Sequence, residues 1–238
     1  MKTKLGTWLS IHSPVIAELA ARCGFDWLLL DLEHGCGIEE SILPQLQAIH
    51  GTETQAIVRV GAPHPELIAR LLDWGAHGIM VPHVNSAAEA ESVVQATRYP
   101  PQGKRGFSRT VRANGYGLRP IEDVRPPLFM AQIETVEAVD RATEIAGVDG
   151  VDVLFVGPSD LRHDITHRRS AAREDSDKHY DECLLRVIDA ASSQGKQAGI
   201  LIRDSADLAK HRELGFTQIA VDSDLAILRK SYLQILTS

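Results

Sequence analysis

Short apolar runs alternate with amphipathic, helix-like stretches along the whole chain, at 5–9, 27–31, 55–60, 78–82, 129–134, 151–156, 197–202 and 217–222. The intervening stretches carry helix signals. Ser13-Pro14 offers a serine N-cap and a proline at the first helical position, and Cys23-Gly24 supplies the glycine stop. Residues 65–74 place Leu67, Ile68, Leu71 and Leu72 at helical spacing before Gly75, and 86–98, 136–146, 180–194, 205–214 and 225–236 repeat the theme. Strands without apolar–polar alternation, joined by helices, imply a parallel sheet covered on both faces. An open doubly wound sheet shares that pattern. About eight strands in one undivided chain favour closure, and no GxGxxG or Walker pattern follows the first run. A single α/β domain over residues 1–238, a (β/α)8 TIM barrel, is therefore expected. Two segments break the repeat. Residues 99–127, rich in Gly, Pro and Arg, read as a long loop over the barrel mouth, and 162–178 read as a polar, solvated loop.

Charge narrows the partners. Lys and Arg total 25 against 32 Asp and Glu, for a formal net charge of -7, which opposes a nucleic-acid footprint. The one basic cluster, His167-Arg168-Arg169 to Arg173, is interleaved with Glu174, Asp175 and Asp177. Cys23, Cys36 and Cys183 form neither a disulfide framework nor a CxxC pair. The amino terminus lacks a signal-peptide pattern and no window is apolar enough to span a bilayer, so a cytoplasmic protein acting on small molecules, not on a membrane, is expected.

Catalytic residues of an α/β barrel gather at the carboxyl ends of its strands. The residues there are Trp8; Asp31, Glu33 and His34; Arg59; Pro82; Glu134; and Gly157-Pro158-Ser159-Asp160. Gln132 and Glu134 are two apart, so both point into the barrel, either as a hydrogen-bonded layer or with Glu134 as a metal ligand and Gln132 beside it. Ser159 or Asp160 could cap a short helix. Alternatively, Asp160 and Glu134 on neighbouring strands suit a hard divalent cation, for Mg2+ often takes only one or two carboxylates. Zinc fits less well without HExxH or a Cys/His pair. Arg59, late in an apolar strand, needs an anion, either an ion-pair partner or a substrate oxygen. Asp73, late in a helix, reads as a surface residue or as an acid supporting the site.

Asp31-x-Glu33-His34-Gly35, Val58-Arg59-Val60, Arg98-Tyr99-Pro100-Pro101-x-Gly103-x-Arg105-Gly106, Gln132-Ile133-Glu134-Thr135 and Gly157-Pro158-Ser159-Asp160-Leu161 resemble the class II pyruvate aldolases, the 2,4-dihydroxyhept-2-ene-1,7-dioate aldolase (HpcH/HpaI) family. The resemblance runs from about Gly6 to Asp222. It implies a divalent metal ion, Mg2+, Mn2+ or Co2+, a homo-oligomer (trimer or hexamer), and reversible aldol cleavage of a 4-hydroxy-2-oxo acid to pyruvate and an aldehyde. Carried over motif by motif, it makes Glu134 and Asp160 the metal ligands, His34 the base and Arg59 the group holding the enolate oxygen. It has Asp31 and Asp73 orient His34, and Gln132 and Trp8 border the substrate. The backbone amides near Ser159 and Asp160 receive its carboxylate.

The residues' own chemistry agrees: an enolate needs a Lewis acid and a cation, and histidine suits proton transfer near neutral pH. None of Lys2, Lys4, Lys104, Lys178, Lys196, Lys210 and Lys230 ends a strand, which disfavours a Schiff base. There are departures. Arg162–Arg169 stands where the family pattern is glycine-rich, Leu32 is bulky, and the chain stops soon after its last helix, so substrate and subunit contacts are expected to differ. An acyl-CoA lyase of the citrate lyase beta or malyl-CoA type, and a non-catalytic keto-acid-binding barrel, are the competing readings.

Overall fold

The computed structural model describes residues 2–118, 126–169 and 173–237. Eight strands, β1 (Lys4–Leu9), β2 (Trp27–Asp31), β3 (Gln55–Arg59), β4 (Gly78–Val81), β5 (Leu128–Ile133), β6 (Val153–Val156), β7 (Gln197–Ile202) and β8 (Gln218–Ser223), pair in that order and close into a barrel. Every pair, including β8 with β1, is parallel. Each apolar run of the sequence is one of these strands. They are apolar on both sides because each has two dry faces. In β2, Trp27 and Leu29 turn inward with Ile57, Met80 and Phe155, while Leu28 and Leu30 meet the helix layer. Inside, Trp8, Trp27 and Phe155 pack with centroids 5.5–6.3 Å apart and plug the barrel below its mouth.

The helices are α1 (Pro14–Arg22), α2 (Ile42–Ile49), α3 (Pro65–Asp73), α4 (Ala87–Thr97), α5 (Val136–Asp140), α6 (Ala142–Ala146), α7 (Pro158–Arg169), α8 (Arg173–Ser193), α9 (Leu208–Leu214) and α10 (Asp224–Leu236). Ser13 caps α1 as its position predicts, accepting from the Ile16 amide. The helix expected over 136–146 breaks at Arg141, whose ψ of 10° is not helical, giving α5 and α6. Among the described residues no helix is long and apolar enough to cross a membrane.

Two loop expectations are corrected. The polar stretch 162–178 is mostly helix, divided between α7 and α8. Leu161 and Ile165, four apart, are both buried and hold α7 down. Arg162 reaches across to α8, with its guanidinium 3.7 Å from the Tyr180 ring centroid and Nη1 2.5 Å from Asp177 Oδ1. The side chains of Arg168, Arg169, Arg173 and Glu174 in the basic run lie outside the described residues. The other correction concerns 99–127. It joins the end of α4 to the start of β5, and such a connection lies at the amino ends of the strands, opposite the mouth. Its described part packs there. Arg112 donates to the carbonyl of Trp74 (2.6 Å), which follows α3.

The last helix packs lightly on the barrel. α10 is capped by Ser223 and tied to the barrel at its start, where Asp224 accepts from the amides of Ser10 and Ile11. Beyond Asp224 none of its residues is buried, and Leu233, Ile235 and Leu236 are at least half exposed.

Candidate active site

The end of β2 organises one side of the mouth. Asp31 and Arg59, the last residues of β2 and β3, are register partners. Both are buried, and they meet as a fork, Nε on Oδ1 at 2.9 Å and Nη2 on Oδ2 at 2.7 Å. Glu33 brings a second carboxylate to the same guanidinium, 2.7 Å from Nη1. Burial alone would lower the Arg59 pKa, but the hydrogen bonds and charge of Asp31, then Glu33 and Glu134, outweigh it and raise it further. Arg59 also lies 5.5 Å from the centre of the Trp8 ring, so Trp8 floors this part of the mouth.

Asp31 shapes the following turn as well. Its Oδ1 accepts from the backbone amides of Glu33 (3.1 Å) and His34 (3.3 Å). Its own carbonyl lies 2.7 Å from Nε2 of His12, whose Nδ1 is 2.5 Å from Ser41 Oγ. A Cβ at Gly35 would fall 2.0 Å from the Asp31 carbonyl oxygen and 2.5 Å from His12 Nε2, so the turn admits only glycine there. The His34 ring is left 70% exposed at the opening, with Glu33 its nearest carboxylate at 4.0 Å. Asp31 therefore reaches His34 through its backbone amide.

The other side is built on β4, β5 and β6. Glu134, just past β5, is buried and fully engaged. Its Oε1 accepts from the His83 amide at 2.7 Å and lies 3.1 Å from His83 Nδ1, and its Oε2 accepts from Gln132 Nε2 at 2.6 Å. Burial pushes the Glu134 carboxyl up to about 7, with the charges of Asp160 and Glu33 adding to the rise against His83. Gln132 points inward as alternation predicts, and its buried Oε1 has no hydrogen-bond partner among the described residues. Pro158 opens α7, so Ser159 and Asp160 stand in its first turn rather than at its cap, and both are exposed at the mouth. Their amides belong to the unpaired set at a helix start. A Cβ at Gly157 would sit 2.4 Å from Glu134 Oε2 and 2.7 Å from Gln132 Nε2, so glycine keeps the space beside the carboxylate open.

Of the residues singled out from the sequence, Trp8, Asp31, His34, Arg59, Gln132, Glu134, Ser159 and Asp160 thus meet at one end of the barrel. Asp73 does not. It ends α3, which has run back from the mouth, and its Oδ1 is 2.5 Å from Nη2 of the buried Arg105. Glu33 stood among the strand-end residues without an assigned role, and two contributors were not recognised in the sequence: His83 follows β4 with φ 53°, and His12 follows β1 with φ 60°. The rule that site residues follow strand ends points to His83 and His12. Nothing in the sequence announces their partners.

The mouth gathers four carboxylates, Asp31, Glu33, Glu134 and Asp160, around one guanidinium. Arg59 is committed to Asp31 and Glu33, so Glu134 faces the charge of Asp160 and of Glu33, with His83 beside it as a counterweight. Hard oxygen donors, a carboxyl pushed up by burial and like charge, and the space above Gly157 fit a divalent cation. Among the described residues no cluster of three or more His, Cys, Asp or Glu is arranged to hold a metal, so further ligands would come from water and substrate.

A family model described as HpcH/HpaI aldolase/citrate lyase matches residues 4–231. A 5-keto-4-deoxy-D-glucarate aldolase of Shigella boydii is 37% identical over 233 residues, which are 97% of this chain and 89% of that protein. Among solved structures, an HpcH/HpaI aldolase/citrate lyase family protein of Burkholderia cenocepacia superposes with a TM-score of 0.91 at 33% identity, covering 99% of this chain and 94% of that one. The HpcH/HpaI aldolase of Desulfitobacterium hafniense gives a TM-score of 0.87 at 28% identity, covering 99% and 92%.

Proposed function

The chain belongs to the HpcH/HpaI aldolase/citrate lyase family, and we propose that it is a class II aldolase cleaving a 4-hydroxy-2-oxo acid reversibly to pyruvate and an aldehyde. The observation that carries this reading is the carboxylate pair Glu134 and Asp160 at a mouth that also presents Arg59 and His34. The Shigella relative is named for 5-keto-4-deoxy-D-glucarate. Counted from its keto end, that molecule is a 4-hydroxy-2-oxo acid with a second carboxylate at the far end, and a substrate of this kind is proposed here.

Glu134 and Asp160 would hold the cation, Mg2+, Mn2+ or Co2+, which when bound supplies Lewis acidity toward the oxygens of the 2-oxo acid. The free first-turn amides of Ser159 and Asp160 receive the carboxylate of the pyruvate half. Of the five N–H groups of Arg59, two donate to Asp31 and Nη1 faces Glu33 as an ion pair, and the N–H groups not bonded to Asp31 serve the C2 oxygen as it becomes negative. His34 takes the proton of the 4-hydroxyl. As that O–H bond breaks, the C4 carbonyl forms, the C3–C4 bond breaks, and its electron pair ends on the C2 oxygen of the pyruvate enolate. A proton delivered to C3 then makes the methyl group. Gln132 and His83 hold the Glu134 carboxylate in place, and Asp31 does the same for Arg59 and the His34 turn. We further propose that the protein works as a homo-oligomer in the cytoplasm, with the exposed apolar residues of α10 supporting assembly.

Exchange of the pyruvate methyl protons with deuterium oxide, followed by NMR, tests this reading without knowing the aldehyde. Exchange should require Mg2+ or Mn2+, stop with EDTA and disappear in Glu134→Ala. A Glu134→Ala protein that exchanges like wild type would sink it.

A further inference from the structure

We infer that Arg203, just past the end of β7, binds the distal carboxylate of the substrate and so selects aldehydes that carry a negative charge. This assignment rests on the aldolase reading above. Along β7, Ile200 and Ile202 join the core between barrel and helices, whereas Leu201 packs against the cluster inside the barrel. Arg203 follows Leu201 by two residues and lies just past the carboxyl end of β7, the strand paired with β6, which leads into Gly157 and Asp160.

Three contacts fix Arg203 while leaving its charge available. Lys230 on α10 donates to the Arg203 carbonyl (2.9 Å) and to Asp222 Oδ2 (2.6 Å), so one ammonium clamps the ends of β7 and β8 together. Asp222 is buried and holds a left-handed φ of 56°, a conformation a non-glycine residue keeps only when its surroundings impose it. Its Oδ1 lies 3.8 Å from Arg203 Nη1, beyond hydrogen-bond distance, and has no hydrogen-bond partner among the described residues. The neighbouring Asp204 is turned away, accepting from the Ala206 amide. Among the described residues the Arg203 guanidinium therefore makes an ion-pair contact at 3.8 Å and no hydrogen bond, and it is 63% exposed. Two cations against one carboxylate leave the cluster positive, on a mouth otherwise rich in acids. A planar fork with no carboxylate bonded to it suits a carboxylate arriving with the substrate. Pyruvate held between Glu134, Asp160 and Arg59 puts the reacting carbon near the barrel axis, and the rest of the substrate then extends toward the rim.

The test is a ratio. In the condensation direction with pyruvate, tartronate semialdehyde carries a carboxylate where glyceraldehyde has a hydroxymethyl group. Arg203→Gln should lower the ratio of kcat/KM for tartronate semialdehyde to that for glyceraldehyde roughly 10- to 100-fold, the range of one charge-assisted hydrogen-bond pair. Arg203→Lys, which keeps the charge without the fork, should lower it less. A ratio unmoved in Arg203→Gln, or equal losses on both aldehydes, overturns the assignment. Pyruvate exchange by the wild-type protein separates the two levels. Exchange with an unmoved ratio refutes the role of Arg203 alone, while absence of exchange in the metal-loaded wild type refutes the aldolase reading and this assignment with it.

Discussion

Asp31 holds two parts of the mouth at once, Arg59 in a fork and two backbone amides of the next turn. Asp31→Asn keeps the shape and removes the charge, leaving a buried guanidinium with Glu33 as its remaining anion. Breaking a buried pair in this way costs about 3–5 kcal/mol. Urea unfolding should show a loss of that size, and a variant within 1 kcal/mol of wild type would mean that water reaches Arg59. Gly157→Ala acts on the opposite side of the mouth. Its methyl group must displace the Glu134 carboxylate, since Gln132 and His83 already hold that group where a Cβ would go. The expected outcome is a near-normal unfolding midpoint with kcat/KM lowered roughly 100-fold, as for an ångström-scale misplacement of a working group. His77, at the amino end of β4, accepts the Ala56 amide on Nδ1, and burial, followed by Arg112, lowers its pKa below 6.5. The unfolded chain then binds the extra proton first, so stability is lost as pH falls below 6.5 toward the folded pKa. Urea midpoints from pH 7.5 to 5 should fall more steeply for wild type than for His77→Gln. Strand-end position made the gathering of Asp31, His34, Arg59, Glu134 and Asp160 at one mouth legible in the sequence. The pairings were not legible. Asp31 meets Arg59 through strand register, and His83 reaches Glu134 through a left-handed backbone turn, neither of which leaves a mark in local sequence.

The elements were legible wherever a strong apolar period existed. α3 satisfies that condition, and all eight strands stood out instead as unbroken apolar runs. α2 was missed because it is short and carries Pro44 in its first turn, although Ile42, Leu46 and Ile49 pack inward. α7 was read as a loop because among its described side chains only Leu161 and Ile165 face the core, and two such residues in a helix of twelve do not make a visible stripe. The placement of 99–127 failed for a different reason. Its composition says loop, but only the parity of the β-α order says which end of the barrel it occupies, and that parity puts Asp73 and Arg105 away from the mouth. α7 also offers a test of coupling between packing and chemistry. Leu161→Ala should cost about 2–5 kcal/mol by opening a cavity under the first turn. That turn presents the amides of Ser159 and Asp160, so the KM for pyruvate should rise along with the loss of stability. Arg162→Ala, which removes a contact between α7 and α8 farther along, should leave that KM unchanged.

At the scale of the molecule, the barrel closes fully and leaves no strand edge to pair, so contacts with other chains must come from helices and loops. α10 is the prominent candidate. Leu225, Tyr232 and Leu236 recur at positions 0, 7 and 11 of the helix and share one side, flanked by Leu233 and Ile235, and all are at least 46% exposed. On the next helix around the barrel, α1, Val15 and Leu19 are 74% and 62% exposed. A helix apolar on its outward side, tied to the barrel by Asp224 at its start and Lys230 at its middle, has the form of a segment completed by another surface. A second copy of the same chain brings both the helix and the exposed residues of α1, so each copy can cover the other's apolar residues in a symmetric contact. Light scattering coupled to size exclusion should therefore show wild type as an oligomer at micromolar concentration and the Leu233→Asp/Ile235→Asp double variant as a smaller species. Both side chains are already exposed within their own chain, so the variant should keep its far-UV circular dichroism. A monomeric wild type, or a double variant of unchanged mass, would show that α10 has no such partner.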